Sequence, residues 1–192
     1  MDTRGRTKIK QAVGAFNFDF RGKTVLDIGS STGGFTEYAL ERGAEKVIAV
    51  EKGTNQMVAP LKFNPKVELH EKTDIFDVVS LGRNGALTVG EPDVILADVS
   101  FVSLKKILLH ARDKIAGPET EFLVMLKPQF EAKPNQLWNG VVKNEKMRRE
   151  IVKDFEQFLK QNGFLILKKH DNELTGKTGN RERFYFLRLS KN

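Results

Sequence analysis

The chain has 192 residues, 40% of them apolar, and a formal net charge of +7. That length suits one α/β domain with its own core, and the excess of Lys and Arg favours an anionic partner, nucleic acid before an anionic membrane surface. With no cysteine, disulfides, thiolate zinc sites, iron–sulfur clusters and cysteine nucleophiles are excluded, and His70, His110 and His170 lack metal-ligand spacing, so no metal is expected. No apolar run reaches the length of a membrane span, and the basic N-terminus lacks the apolar segment of a signal peptide, so the expected location is the cytoplasm.

The opening "MDTRGRTKIKQAVGAFNFDF" is basic and then mixed, with a short helix expected near Lys8 to Phe16. It divides as an N-terminal basic segment, residues 1–20, ahead of one domain over residues 21–192. "GKTVLDIGSSTGGF" reads as a strand running into a glycine-rich turn, with a helix from about Thr32 to Phe35 that Gly43 closes. "KVIAVEKG" is a second strand ending at Glu51, and "NQMVAPLKF" a short helix stopped by Pro60. "KVELHEKTD" is a third strand ending near Asp74, and "IFDVVSLG" a helical turn or short helix. "PDVILADVSF" is a fourth strand, and "SLKKILLHARDKIAG" has the apolar period of a helix. "EFLVMLK" is a fifth strand, and "NEKMRREIVKDFEQFLKQNG" is the clearest amphipathic helix. "FLILKKHD" and "ERFYFLRLS" complete seven strands. The alternation predicts a seven-stranded, mostly parallel sheet with helices on both faces and an antiparallel edge hairpin. "EAKPNQLWNGVV" and "NELTGKTGN" are expected to be loops over the C-terminal edge, where open α/β sheets bind ligands.

The glycine turn differs from the dinucleotide fingerprint, because Thr32 stands where the third glycine belongs, and no G-K-[ST] follows to make a phosphate loop. Asp27 would repel a pyrophosphate but can pair with a cationic amine. S-adenosylmethionine has that amine and no phosphate. Glu51 can accept both ribose hydroxyls of an adenosine, and Asp74 can reach the adenine amino group. Each of these carboxylates alone is an ordinary strand-end residue. Together with Asp27 and the glycines they mark a Rossmann-like class I S-adenosylmethionine-dependent methyltransferase fold rather than a dehydrogenase.

Asp98 ends the fourth strand and Lys127 the fifth, so both should project into one crevice. A lysine there can also be a strand emerging into water, or half of a structural ion pair. Pro128 disfavours a helical backbone at Lys127 and restrains the chain beneath the side chain.

At these residues the chain resembles a known family. "TRGRTKIKQAV", "LDIGSSTGGFTEYAL", "ILADVSFVSL", "LVMLKPQFEA", "NGVV" and "TGKTGNRE" are similar to successive motifs of the FtsJ-like methyltransferases, in the branch named for hemolysin A and TlyA. The resemblance runs from Thr3 to about Phe186. It implies a ribose 2'-O-methyltransferase of ribosomal RNA, cytidine being the base in that branch, with a Lys-Asp-Lys-Glu tetrad. Motif by motif, the tetrad falls on Lys8, Asp98, Lys127 and Glu182. The implied cofactor residues are Asp27, Gly29, Ser30, Ser31, Thr32, Gly33, Gly34, Phe35, Glu51, Lys52, Asp74 and Asp98. Arg4, Arg6, Lys10, Gln129, Phe130 and Trp138 are the candidate substrate-binding residues, with Phe130 or Trp138 stacking on a displaced base or simply packing a loop. A second basic patch is expected at Lys143, Lys146, Arg148 and Arg149. The branch ordinarily carries an S4-type RNA-binding domain ahead of the first motif, and the expectation is a chain without it. Lys127 could take the hydroxyl proton or hold the oxygen. The other readings are a dehydrogenase, a non-catalytic RNA-binding or ribosome-associated protein, and a membrane-active hemolysin-like protein.

Overall fold

A computed structural model describes residues 4–81, 87–173 and 179–190. In chain order these form α1 (Arg4–Phe16), β1 (Thr24–Ile28), α2 (Gly34–Glu41), β2 (Lys46–Val50), α3 (Ala59–Lys62), β3 (Val67–His70), β4 (Val78–Ser80), β5 (Leu87–Val89), β6 (Val94–Ala97) and α4 (Leu104–His110). Then come β7 (Glu121–Leu126), α5 (Pro128–Glu131), β8 (Leu137–Trp138), β9 (Val141–Val142), α6 (Glu145–Gln161), β10 (Phe164–Asp171) and β11 (Arg183–Leu189).

Seven strands make one sheet in the order β10-β11-β7-β6-β1-β2-β3. The five from β3 to β7 are parallel, and β11 runs antiparallel between β7 and β10. The expected seven-stranded, mostly parallel sheet and its antiparallel hairpin are both present. Residue alternation sends side chains to two cores. On one face Leu26, Ile28, Ile95, Phe122 and Val124 pack with Leu104, Ile107, Phe155 and Leu159 of α4 and α6. On the other, Val25, Val94, Leu96, Leu123 and Met125 pack with Ile9, Ala12, Val13, Phe35 and Ala39 of α1 and α2. Every residue of β7 is buried, as a strand covered on both faces requires. Helix α1 shares this second core and is tied at its C-terminus by Lys168 Nζ, which donates to the Phe16 carbonyl at 2.6 Å.

Local readings need four corrections. Pro60 does not stop a helix; it sits in the first turn of α3, where a missing N–H costs nothing and the fixed φ suits helix entry. The third strand ends at His70 rather than near Asp74, which instead caps a 3-10 turn, Ile75–Asp77, by accepting the Phe76 N–H at 3.2 Å. Val78 and Val79 continue not as helix but as β4, pairing in parallel with β5, in keeping with their branched side chains. "EAKPNQLWNGVV" is not irregular: α5 gives way to a two-stranded hairpin, β8–β9, turning at Asn139 (φ 47°) and Gly140 (φ 76°), the positive-φ pair that tight hairpins favour. In "NELTGKTGN", residues 174–178 lie outside the described residues. No helix among the described residues is long and apolar enough to cross a membrane.

Candidate active site

The parallel strands β1, β2, β3, β6 and β7 end at one edge of the sheet, and the loops that follow them enclose two adjoining clefts. One, of about 510 Å³, is lined by residues including Lys8, Ser30, Phe35, Lys127, Gln129 and Glu182. The other, of about 570 Å³, is lined by residues including Glu51, Lys52, Gln56, Asp74, Phe76 and Val99. Gly29, Ser31, Asp98, Ser100 and Phe101 belong to both.

The first cleft gathers two lysine–carboxylate pairs. Asp98 and Lys127 follow β6 and β7, which are neighbours, and Lys127 Nζ lies 2.5 Å from Asp98 Oδ1. The same ammonium donates to Ser100 Oγ at 2.9 Å. Lys127 has an extended backbone (φ −105°, ψ 100°) just ahead of Pro128, the conformation a following proline favours. Lys8 comes from α1 and is 6% exposed; its Nζ is 2.6 Å from Oε2 of Glu182, which is 2% exposed. Such a pair is viable in the interior only because each charge answers the other. Glu182 is anchored from several sides. Its carbonyl accepts the Asn172 N–H at 2.9 Å, and Arg148 Nε donates to the neighbouring Arg181 carbonyl at 3.1 Å. Asn180 ties the same segment to the hairpin, donating to the Gly140 carbonyl at 3.0 Å and accepting the Val142 N–H at 2.9 Å.

Three carboxylates, Glu51, Asp74 and Asp98, line the second cleft. Asp27 is fully buried in β1 and does not line either cleft; its Oδ2 accepts from Thr36 Oγ1 at 2.6 Å, and its Oδ1 has no hydrogen-bond partner. Burial pushes its carboxyl up to about 7, and the nearby charges of Asp98 and Glu51 add to that rise. Glu51 accepts the N–H groups of Ser31 and Gly53 at 2.9 and 2.6 Å. Asp74 is bridged by Lys52 Nζ at 2.8 Å, and that ammonium holds its carboxyl below the usual range. Gly29 (φ 79°) approaches the Asp98 carbonyl so closely that a Cβ would lie 3.2 Å from it. Gly33 (φ 93°) lines neither cleft. It caps α2, and a Cβ there would meet Leu61 Cδ2 at 2.3 Å, so its smallness serves helix packing. Ser30, Ser31, Thr32, Gly34 and Phe35 line the first cleft, and Ser30 Oγ is buried without a partner.

Of the candidate substrate residues, Arg4, Gln129 and Phe130 line the first cleft. Arg6 turns to Glu41 and Glu37, at 2.5 and 3.6 Å, and Lys10 is exposed on α1 outside both clefts. Trp138 is 71% exposed on the hairpin, away from the clefts. The second basic patch loses Arg148, which is 6% exposed and bonded to Asp171 Oδ1 at 2.6 Å, because its position on α6 faces the body of the domain. Two residues escaped the sequence reading. Ser100 is the hydroxyl partner of Lys127. Phe101 is 92% exposed at a left-handed φ of 63°, with its ring 5.3 Å from that of Phe130. Their place in "DVSF", directly after Asp98, was the available signal; the backbone strain had none.

The sequence profile of the FtsJ-like methyltransferases matches residues 1–189. A Campylobacter jejuni protein named 23S rRNA (cytidine-2'-O)-methyltransferase TlyA is 34% identical over 186 residues, covering 96% of this chain and 69% of that protein. A solved structure from Streptococcus thermophilus that carries a hemolysin name is 31% identical, with a TM-score of 0.91 over 100% of this chain and 68% of its own. A Burkholderia thailandensis N1-methyltransferase solved with S-adenosylhomocysteine shares the fold at 16% identity, with a TM-score of 0.66 over 99% of this chain and 80% of its own. The chain spans about two thirds of the length of the Campylobacter and Streptococcus proteins.

Proposed function

Since the chain belongs to the FtsJ-like methyltransferase family, we propose that it methylates the ribose 2'-hydroxyl of a ribosomal RNA nucleotide, a cytidine as in the name of its Campylobacter relative, with S-adenosylmethionine as methyl donor. The observation that carries this reading is the meeting of Lys127 with Asp98 and of Lys8 with Glu182 in one cleft, from four separate segments of chain.

Glu51, Asp74 and Asp98 of the second cleft, together with the buried Asp27 that lines neither cleft, make a donor set that fits S-adenosylmethionine. Asp27 Oδ1 is buried and unpartnered, and burial together with the nearby charges of Asp98 and Glu51 raises the cost of ionising Asp27, which a cationic amine and sulfonium would relieve. Asp27 would stabilise the amine from beneath the Gly29 turn, Glu51 would accept from the ribose hydroxyls, and Asp74 would face the adenine edge beside Lys52. When bound, S-adenosylmethionine supplies an electrophilic methyl group.

A ribose hydroxyl is a weak nucleophile, so the protein must align its oxygen with the methyl and dispose of the proton. Lys127 donates to Ser100 and is ion-paired with Asp98, which leaves an N–H direction of the ammonium for the 2'-oxygen. We therefore assign Lys127 the task of holding that oxygen and stabilising negative charge as it develops. Asp98 keeps the ammonium in place and is the nearest carboxylate to receive the proton. Lys8 and Glu182 form the buried far wall of the same cleft. Phe101 and Phe130, at its mouth, offer an aromatic surface on which a displaced base can stack. The exposed cations supply sequence-independent attraction to the phosphate backbone, which weakens with salt. Incubation with labelled S-adenosylmethionine and either naked ribosomal RNA or ribosomal subunits tests the proposal. Recovery of label in 2'-O-methylnucleoside supports it, and no incorporation into either substrate contradicts it.

A further inference from the structure

Helix α4 starts without a cap of its own. Ser103, at its N-cap position, makes no side-chain cap hydrogen bond. The capping acceptor comes instead from Glu131, the last residue of α5: its Oε1 takes the Leu104 N–H at 2.5 Å, and its Oε2 takes the Ser103 hydroxyl at 2.7 Å. An orphan N–H of a helix start is thus satisfied by a carboxylate from the segment that follows Lys127.

Three contacts join the same two segments. Asp98 and Ser100 meet Lys127, Phe101 meets Phe130, and Ser103 with Leu104 meets Glu131. The first two contacts involve groups facing the cleft. The third lies behind them, and Glu131 does not line either cleft. Between the ends of this ladder, Phe101 holds a left-handed backbone that a phenylalanine adopts only when its surroundings enforce it. The anchor nearest to it on the C-terminal side is the pair of hydrogen bonds to Glu131.

We propose that Glu131 is a positioning residue, which clamps the Asp98–Leu104 loop to α5 and so sets Asp98, Ser100 and Phe101 against Lys127. This rests on the functional reading above. Its role is distinct from catalysis, because the carboxylate is turned to the start of α4 and its hydrogen-bonding atoms are already engaged there.

The test compares Glu131→Ala and Glu131→Gln by amide hydrogen exchange and by methyl transfer to ribosomal RNA, at a temperature where both variants are fully folded. The glutamine keeps an acceptor for Leu104 and can donate to the Ser103 oxygen. In Glu131→Ala, exchange over residues 98–105 should quicken about tenfold while the β1 and β2 amides stay protected, and the turnover rate should fall at least about tenfold. Glu131→Gln should recover both to within about threefold of the parent protein. Unchanged exchange over 98–105 in the alanine variant, or turnover within about twofold of the parent, would overturn the clamp. A parent protein that transfers no methyl to RNA would contradict the functional reading instead, and the exchange measurements would still decide the clamp.

Discussion

The Lys127 ammonium lies 2.5 Å from the Asp98 carboxylate, at the ends of two adjacent parallel strands that otherwise carry only apolar side chains to that edge. Leu123 and Val124 stand opposite Leu96 and Ala97 in parallel register, so Lys127 emerges two residues beyond the level of Asp98, and its long side chain reaches back to the carboxylate. The adjacency of β6 and β7 thus brings the two side chains together, and both line the cleft where substrate oxygen is proposed to sit.

Replacing Lys127 by Met should lower turnover by about 100-fold to 10,000-fold, the range for loss of a group that acts on the reacting oxygen. Affinity for S-adenosylmethionine should change far less, because the groups proposed to hold it lie in the adjoining cleft. Single-turnover transfer and calorimetric titration with the cofactor separate the two quantities.

Lys8 and Glu182 make a different prediction, because both are buried. Lys8→Met alone leaves an uncompensated carboxylate in the interior and should destabilise the protein by about 3–5 kcal/mol. Combining it with Glu182→Gln should restore most of that stability without restoring methyl transfer. Denaturant unfolding read beside an activity assay tells a catalytic pair from a purely structural one.

Asp27 predicts a pH effect. Its carboxyl is at about 7 in the folded protein, against an ordinary value of 3.8, so the folded state holds the proton more tightly than the unfolded chain does. The stability this gives is full below pH 3.8 and is lost as pH rises through 7. Asp27→Asn should therefore be more stable than the parent near pH 8, by a few kcal/mol at most, with the difference shrinking toward pH 4. Cofactor affinity of the parent should rise with pH through about 7 as the carboxylate forms, and that rise should vanish in the asparagine variant. Thermal unfolding and cofactor titration across pH 5–9 check both slopes.

Phe101 should show stability and activity moving in opposite directions. Phe101→Gly relieves the left-handed strain and should raise stability by about 1 kcal/mol. Loss of the stacking surface should weaken RNA binding by about 1–3 kcal/mol, a factor of roughly 5 to 150. Denaturant melts and RNA titrations at fixed salt measure the two effects.

The sheet was readable because strand ends and apolar runs coincide. "VLDI", "VILA" and "FLVML" are each bounded by a glycine turn, a proline or a charge, and each became a buried strand. The residues at those ends, Gly29, Asp98 and Lys127, line the clefts for the same reason. What periodicity could not supply was tertiary: whether Pro60 ends or begins a turn, whether Arg148 faces water or the Asp171 carboxylate, and whether Trp138 points toward the cleft or away. That Lys8 and Glu182, far apart in sequence, share one site came only through the motif resemblance, and their pairing with each other was not foreseen, because no local pattern joins the first helix to the residue ahead of the last strand. Phe101 stayed hidden because a strained φ leaves no mark in composition.

The central claim is that Lys127 holds a ribose 2'-oxygen for methylation. The most direct measurement is nucleotide-level mapping of the methyl group placed on ribosomal RNA by the parent protein and by Lys127→Ala. The account predicts a 2'-O-methylated nucleotide, a cytidine, with the parent and no mark with the variant. A methyl group on a base nitrogen or carbon, or an undiminished ribose mark with Lys127→Ala, would contradict it.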